Sequence, residues 1–356
     1  MRGLRYFAAV MVVVTLFLCP CLAAPGEVLS DAVPDSAREL LSGVDTEGNL
    51  SDGLWGILEN AAGELGAEDL FSLLRRILCA AIICGMVCAL ESAVQSPVLR
   101  RATEAAGGAA VFLMAAGGTE SVFAQAERAI RDMTAFSEIF TTVYTAAAVA
   151  AGSPAAAAAK KAAAVFATGL FSELAGRVFL PFCGLYALCR TVSVCMESPG
   201  LGRAAVSLRG IMTTGLRLGL TLYAAFITIS GVVGAAGDSL LKRGVKGGVA
   251  AAVPIIGGAL TEACEAIFAG AAAVRNSIGV AGVLVLIATA LLPLLRLGAW
   301  YAAFRLTAAV CTAISPGAVT GVADTAAETT GMYLAILAAA TAAQLIGVIA
   351  GFLSFV

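Results

Sequence analysis

The sequence predicts an all-α, polytopic helical membrane protein with about seven to nine membrane helices behind a signal peptide and a short acidic segment. Three observations carry this expectation. Hydrophobic residues make up 60% of the 356 and charged residues only 13%, against about 45–50% and 25% in an ordinary soluble domain. The mean hydropathy of +0.94 means more apolar surface than one globular core can hide. Charge is also segregated. Residues 24–74 carry eleven acidic residues against Arg38 alone, a net of −10, whereas residues 75–356 carry 19 bases and 13 acids, a net of +6.

The elements follow in order. Residues 1–23 have the three parts of a secretory signal: Arg2 and Arg5, then the apolar run from Tyr6 to Leu18, then Cys21-Leu22-Ala23. Small residues at −3 and −1 place cleavage between Ala23 and Ala24. Acylation at Cys19 or Cys21 is disfavoured by the preceding Leu18 and Pro20. The remaining alternative is an uncleaved anchor, for which the apolar run is short. Residues 24–74 form an acidic extracytoplasmic segment. Within it Leu54, Ile57, Leu58, Ala61, Leu65 and Phe71 keep a helical period and predict one amphipathic helix.

A polytopic membrane domain then runs over 75–356. Spans are expected at 77–94 and 105–118. An amphipathic helix at 120–136 turns Val122, Phe123, Ala126, Ile130, Met133 and Phe136 to one face. Further spans begin at 139–151, at 162–180 and 182–196 as a hairpin around Pro181, and at 218–236 after the basic stretch Arg203, Arg209 and Arg217. Apolar sequence resumes at 278–295, 297–314 and 331–356. With the N-terminus outside, Arg100-Arg101, Lys160-Lys161 and Arg203, Arg209 and Arg217 fall inside, as the positive-inside rule requires. Lys242-Arg243-Lys246 then falls outside. That breaks the rule unless another hairpin intervenes or the loop meets a partner.

Composition also excludes chemistry. The chain contains no histidine, so it has no Ser-His-Asp or Cys-His nucleophilic pair and no His-ligated zinc. No Gly-Lys dipeptide occurs, which excludes a phosphate-cradling Walker loop. Gly237-Asp238 is the only Gly-Asp pair, so an aspartyl intramembrane protease lacks its second acid. The ten cysteines sit in apolar runs without CxxC spacing and read as small packing residues. No catalytic, cofactor-binding or metal-ligating residue is expected, and nothing points to nucleic acid. Gly200-Leu201-Gly202-Arg203-Ala204-Ala205 matches a dinucleotide pattern, but the next acid is Asp238, too far on to hold a ribose. GxxxG pairs at 215/219, 244/248, 317/321 and 347/351 number about what 39 glycines produce by chance.

Glu262 and Glu265 are the more telling residues. They lie three apart on one helical face, with Val253–Gly258 before them and Ile267–Val274 after. A charge at mid-bilayer costs about 2.5–3.5 kcal/mol on insertion scales. Pro254 followed by Gly257 and Gly258 is the composition of a broken helix, so residues 250–274 are expected to be re-entrant. Arg275 and Asn276 are then candidate partners of the acids in a water-lined constriction or protein contact. The competing reading is an interfacial amphipathic helix with its acids in water.

The run Pro254-Ile-Ile-Gly-Gly-Ala-Leu-Thr-Glu-Ala-Cys-Glu-Ala, continuing through Val274-Arg275-Asn276-Ser277-Ile278-Gly279-Val280-Ala281-Gly282, resembles the stage III sporulation protein AE family. So does the order of signal peptide, polar lead and helical membrane region. The resemblance implies a non-enzymatic membrane subunit of the channel, or feeding tube, between mother cell and forespore in endospore formers. It implies as partners the other stage III A operon membrane proteins with their ATPase, and a stage II protein Q ring on the forespore side. It also implies a multi-pass position in the mother-cell membrane around the forespore, and a role in late forespore gene expression and forespore integrity. No cofactor is implied. The alternative from another class is a stand-alone secondary transporter or ion-coupled permease, built on the Pro254 break and the glutamate pair.

Overall fold

The computed structural model describes residues 33–41, 50–64, 67–93, 96–150, 155–196, 198–229, 277–314 and 317–353, and no strand occurs among them. The signal segment with Ala23 and Ala24, and all of Pro254, Gly257, Gly258, Glu262, Glu265, Arg275 and Asn276, lie outside the described residues.

Two short helices, α1 (Asp35–Leu40) and α2 (Leu50–Glu64), come from the acidic segment. The expected period holds in α2, where Ile57 and Ala61 are buried and Leu54 is partly so, although Leu58 is exposed. Asn60 Nδ2 donates to the Leu40 carbonyl at 2.9 Å and ties the two helices together.

Longer helices follow: α3 (Ala67–Ala93), α4 (Pro97–Ala150), α5 (Ala155–Leu174), α6 (Leu180–Cys195), α7 (Pro199–Ile229), α8 (Ser277–Ile314) and α9 (Ala318–Leu353). Among the described residues four helical stretches are long and apolar enough to cross a membrane: Ala164–Cys195, Pro199–Ile227, Ala281–Ile314 and Ala318–Ile349. Cys79–Leu90 and Ala102–Leu113 are shorter apolar helices.

Several expected boundaries are absent, each for a physical reason. The spans at 105–118 and 139–151 and the amphipathic segment between them are one helix, the 54-residue α4. Its Val122, Ala126, Ile130, Met133 and Phe136 are buried as the period predicts. Pro181 does not reverse the chain. A five-residue π-helical turn, Ala175–Phe179, joins α5 to α6 immediately before it. A proline lacks an N–H and clashes with the carbonyl four residues back. The widened turn absorbs both defects, so the helix continues. The apolar segments 278–295 and 297–314 likewise merge into α8, with Pro293 inside. The last span starts earlier than hydropathy placed it, at Ala318, which brings Asp324 and Glu328 into the helix.

Helix α9 is the axis of the bundle. Almost every residue from Val319 to Ile349 is buried or half-buried, and α4, α5, α6, α7 and α8 all pack against it. Helix α4 runs parallel to it in constant register. Gly108 faces Ala318, Phe123 stacks edge-on to Tyr333 at 6.0 Å, and Thr134 meets Gln344. The end of α6 and the start of α9 lie at one end of the bundle, since a methyl group on Gly321 would come within 2.6 Å of Val194. Because α4 is unbroken, Arg100-Arg101 near its start and Lys160-Lys161 beyond its end lie at opposite ends of the bundle.

Candidate functional site

The described residue with the most demanding environment is Glu328, ten positions into α9 and so about 15 Å from the start of that helix. Tyr186 of α6 donates its hydroxyl to Glu328 Oε2. Arg209 of α7 donates from Nη1 to Oε1 at 3.0 Å. Arg190 follows Tyr186 by one turn on the same face of α6. One turn before Glu328, Asp324 Oδ1 lies 3.7 Å from Arg305 Nη1 of α8. The Arg305 Nε also donates to Tyr301 Oη at 3.3 Å, and the guanidinium rests 5.6 Å from the Tyr301 ring centroid. Four helices thus meet through polar groups within about one turn of one another: Tyr186, Arg209, Arg305 and Glu328 lie 9 or 10 positions from their shared end, and Asp324 lies six.

Local sequence explains why the site forms there. Small side chains let the helices close around it: Gly331 faces the Tyr301 ring, Gly184 faces Tyr333, and Cys183 Sγ donates to the Thr329 carbonyl at 3.5 Å. Thr325, Thr329 and Thr330 return their hydroxyls to α9's own carbonyls at 2.7–2.9 Å. These three hydroxyls are therefore satisfied without water. A lone charge in an apolar span costs several kcal/mol, so charges there pair or serve function.

A second polar layer lies farther along α9. Gln344, 1% exposed, donates from Nε2 to Thr134 Oγ1 at 3.0 Å and to Ser172 Oγ at 2.8 Å. Its Oε1 is buried and has no partner. Beside it Tyr223 Oη donates to the Ala343 carbonyl at 2.7 Å and is hydrogen-bonded to Thr168 Oγ1 at 2.8 Å. We expect Gln344→Leu to leave the midpoint of heat unfolding in detergent nearly unchanged, because it removes an orphaned acceptor together with its amide donor. Tyr223→Phe should instead cost about 1 kcal/mol by the same assay, the net value of a satisfied buried hydrogen bond.

Sequence reasoning singled out neither Glu328 nor Gln344. It assigned Arg209 to a basic stretch, whereas Arg209 reaches across to a neighbouring helix. The signal was present: Asp324 and Glu328 are one helical turn apart between apolar runs, the same pattern that drew attention to Glu262 and Glu265. Among the described residues no three of His, Cys, Asp or Glu gather as a metal-holding group.

The profile described as stage III sporulation protein AE matches residues 39–351, which takes in every helix from α2 to α8 and nearly all of α9. The chain belongs to the stage III sporulation protein AE family. It is similar to the stage III sporulation protein AE of Bacillus subtilis (strain 168), 23% identical over 247 residues. That alignment covers 69% of this chain and 62% of the relative's length. No solved structure matches the chain.

Proposed function

We propose that this member of the stage III sporulation protein AE family is a non-enzymatic integral membrane subunit of the channel complex joining mother cell and forespore. Its place is the mother-cell membrane surrounding the forespore, and its role is to support late forespore gene expression and forespore integrity. Family membership over residues 39–351 is the observation that carries this reading. Four helices long and apolar enough to cross a bilayer agree with it. So does a charged cluster that ties the helices together. The partners are the other stage III A operon membrane proteins, with their ATPase, and the stage II protein Q ring on the forespore side.

Co-purification in mild detergent from sporulating cells tests the proposal. The chain should be recovered with other stage III A products. A lone chain that moves a solute across liposome membranes would overturn it in favour of a secondary transporter. The intramembrane Glu328–Arg209 pair is the observation that favours that second reading, because paired charges in membrane spans also mark substrate and ion pathways.

Topology gives an independent expectation. The −10 segment at 24–74 should face the space between the two membranes. A single cysteine at Ser51 in an otherwise Cys-free chain should react with a membrane-impermeant maleimide before lysis. Reaction only after lysis inverts the orientation. Mature chain starting at Ala24 is the matching expectation for N-terminal sequencing.

A further inference from the structure

Among the described side chains from Ala164 onward, the outer face of α5 and α6 is apolar except at one point. Phe166 and Leu170 stand out from it, Phe166 73% exposed, and the neighbouring α7 adds Leu222 and Phe226. Continuing the same stripe are Glu173 of α5 and Arg177 of the π-helical turn that follows it. Their side chains are 56% and 81% exposed and pair with each other at 2.6 Å. Glu173 and Arg177 lie 9 and 13 positions into the membrane-length stretch Ala164–Cys195, away from both of its ends. A methyl group on Gly169 or on Gly176, which flank Glu173 by one turn on either side, would touch nothing within 4 Å. The stripe therefore has two notches where another backbone can approach closely.

Neither simple surrounding suits this face. Hydrocarbon around an exposed ion pair leaves both charges without solvation at high cost. Water around the flanking phenylalanines and leucines leaves a wide apolar field uncovered. Protein satisfies both demands. The charges also indicate which protein. An acid and a base one turn apart on a stripe complement the same stripe in a second molecule, because Glu173 of either copy then reaches Arg177 of the other. Two copies inserted with the same orientation bring these residues to one level, and an interface between identical patches is the commonest arrangement in symmetric assemblies.

We propose that the α5–α6 face, centred on Glu173 and Arg177, is where a second copy of this chain docks, with each Glu173 exchanging partners with the other copy's Arg177. The test uses two differently tagged full-length chains co-expressed in one membrane, solubilised in mild detergent and captured through one tag. Wild type should bring down the second tag. Glu173→Arg in both copies, or Arg177→Glu in both, should cut that recovery at least tenfold, since each places like charges across the interface. A mixture of one Glu173→Arg copy and one Arg177→Glu copy should restore it. A single chain carrying both exchanges, which keeps its internal pair, should self-associate as wild type does. The proposal is overturned if wild type brings down no second tag, as a lipid-covered or foreign-partner face predicts. It is overturned equally if recovery ignores charge reversal, or if the mixture and the double exchange both fail to recover it.

Discussion

Glu328→Leu will lower the stability of the bundle by about 3 kcal/mol, toward the lower end of what breaking a buried ion pair costs. The lower end applies because the side chains of Glu328 and Arg209 keep 26% and 42% of their exposure. The loss comes less from the missing attraction than from what remains. The Arg209 guanidinium stays among apolar helices with its acceptor removed, and the Tyr186 hydroxyl loses its acceptor as well. Arg209→Leu alone should cost a similar amount for the mirror-image reason. The double change should recover most of the stability, since exchanging both charges for apolar groups is often neutral or better. The heat-unfolding midpoint of detergent-solubilised protein reads all three. If the pair only braces helices, the double variant will restore spore yield along with stability. If the charges themselves are used, it will fold and still fail to support sporulation. Single variants that unfold at the wild-type midpoint would show that the pair is energetically idle.

Gly347→Val should be as damaging by an unrelated route. A Cβ at this position would overlap the Thr168 hydroxyl and come within 3.0 Å of Tyr223 Oη. Both groups belong to the buried hydrogen-bonded set that reaches the Ala343 carbonyl. Overfilling a packed core costs about 1–3 kcal/mol, and each buried hydrogen bond displaced adds about 1 kcal/mol more. A total of about 3–4 kcal/mol should appear as a low yield of folded protein in the membrane fraction. Thr168→Ala combined with Gly347→Ala should recover much of the loss by vacating the overlap. Gly298→Val, at a glycine whose added methyl group would meet nothing within 4 Å, is the control and should be nearly silent.

How far the sequence revealed this molecule depends on which physical signal was being read. Composition was enough for the all-helical class, because no other architecture hides so much apolar sequence in a membrane. The buried face of residues 120–136 was legible because a 3.6-residue period survives whatever surrounds it. Boundaries were not legible where a breaker is tolerated. Pro181 read as a hairpin, yet a π-helical turn lets the chain continue past it, and the segments 278–295 and 297–314, read as two, run on as one helix. Glycine pairs gave no signal by their number, but structure distinguishes among them: Gly321 and Gly347 meet neighbouring side chains closely, whereas Gly317 meets nothing. Glu328 escaped notice because a charge in an apolar run looks the same in sequence whether it snorkels or pairs. Only its partners, 119 and 142 positions away in the chain, decide.

The position of α9 sets a timetable. This central helix follows all the other described helices in chain order, so the ribosome delivers the axis after everything that surrounds it. Until then α4, α5, α6, α7 and α8 stand in the membrane with their inward faces unfilled, and the acceptor for Arg209 and Tyr186 has not been synthesised. Nascent chains stalled before residue 318 should therefore persist as loosely associated hairpins, open to membrane proteases. Emergence of α9 would then close the bundle in one cooperative step, making synthesis of that helix the event that commits the bundle to its fold.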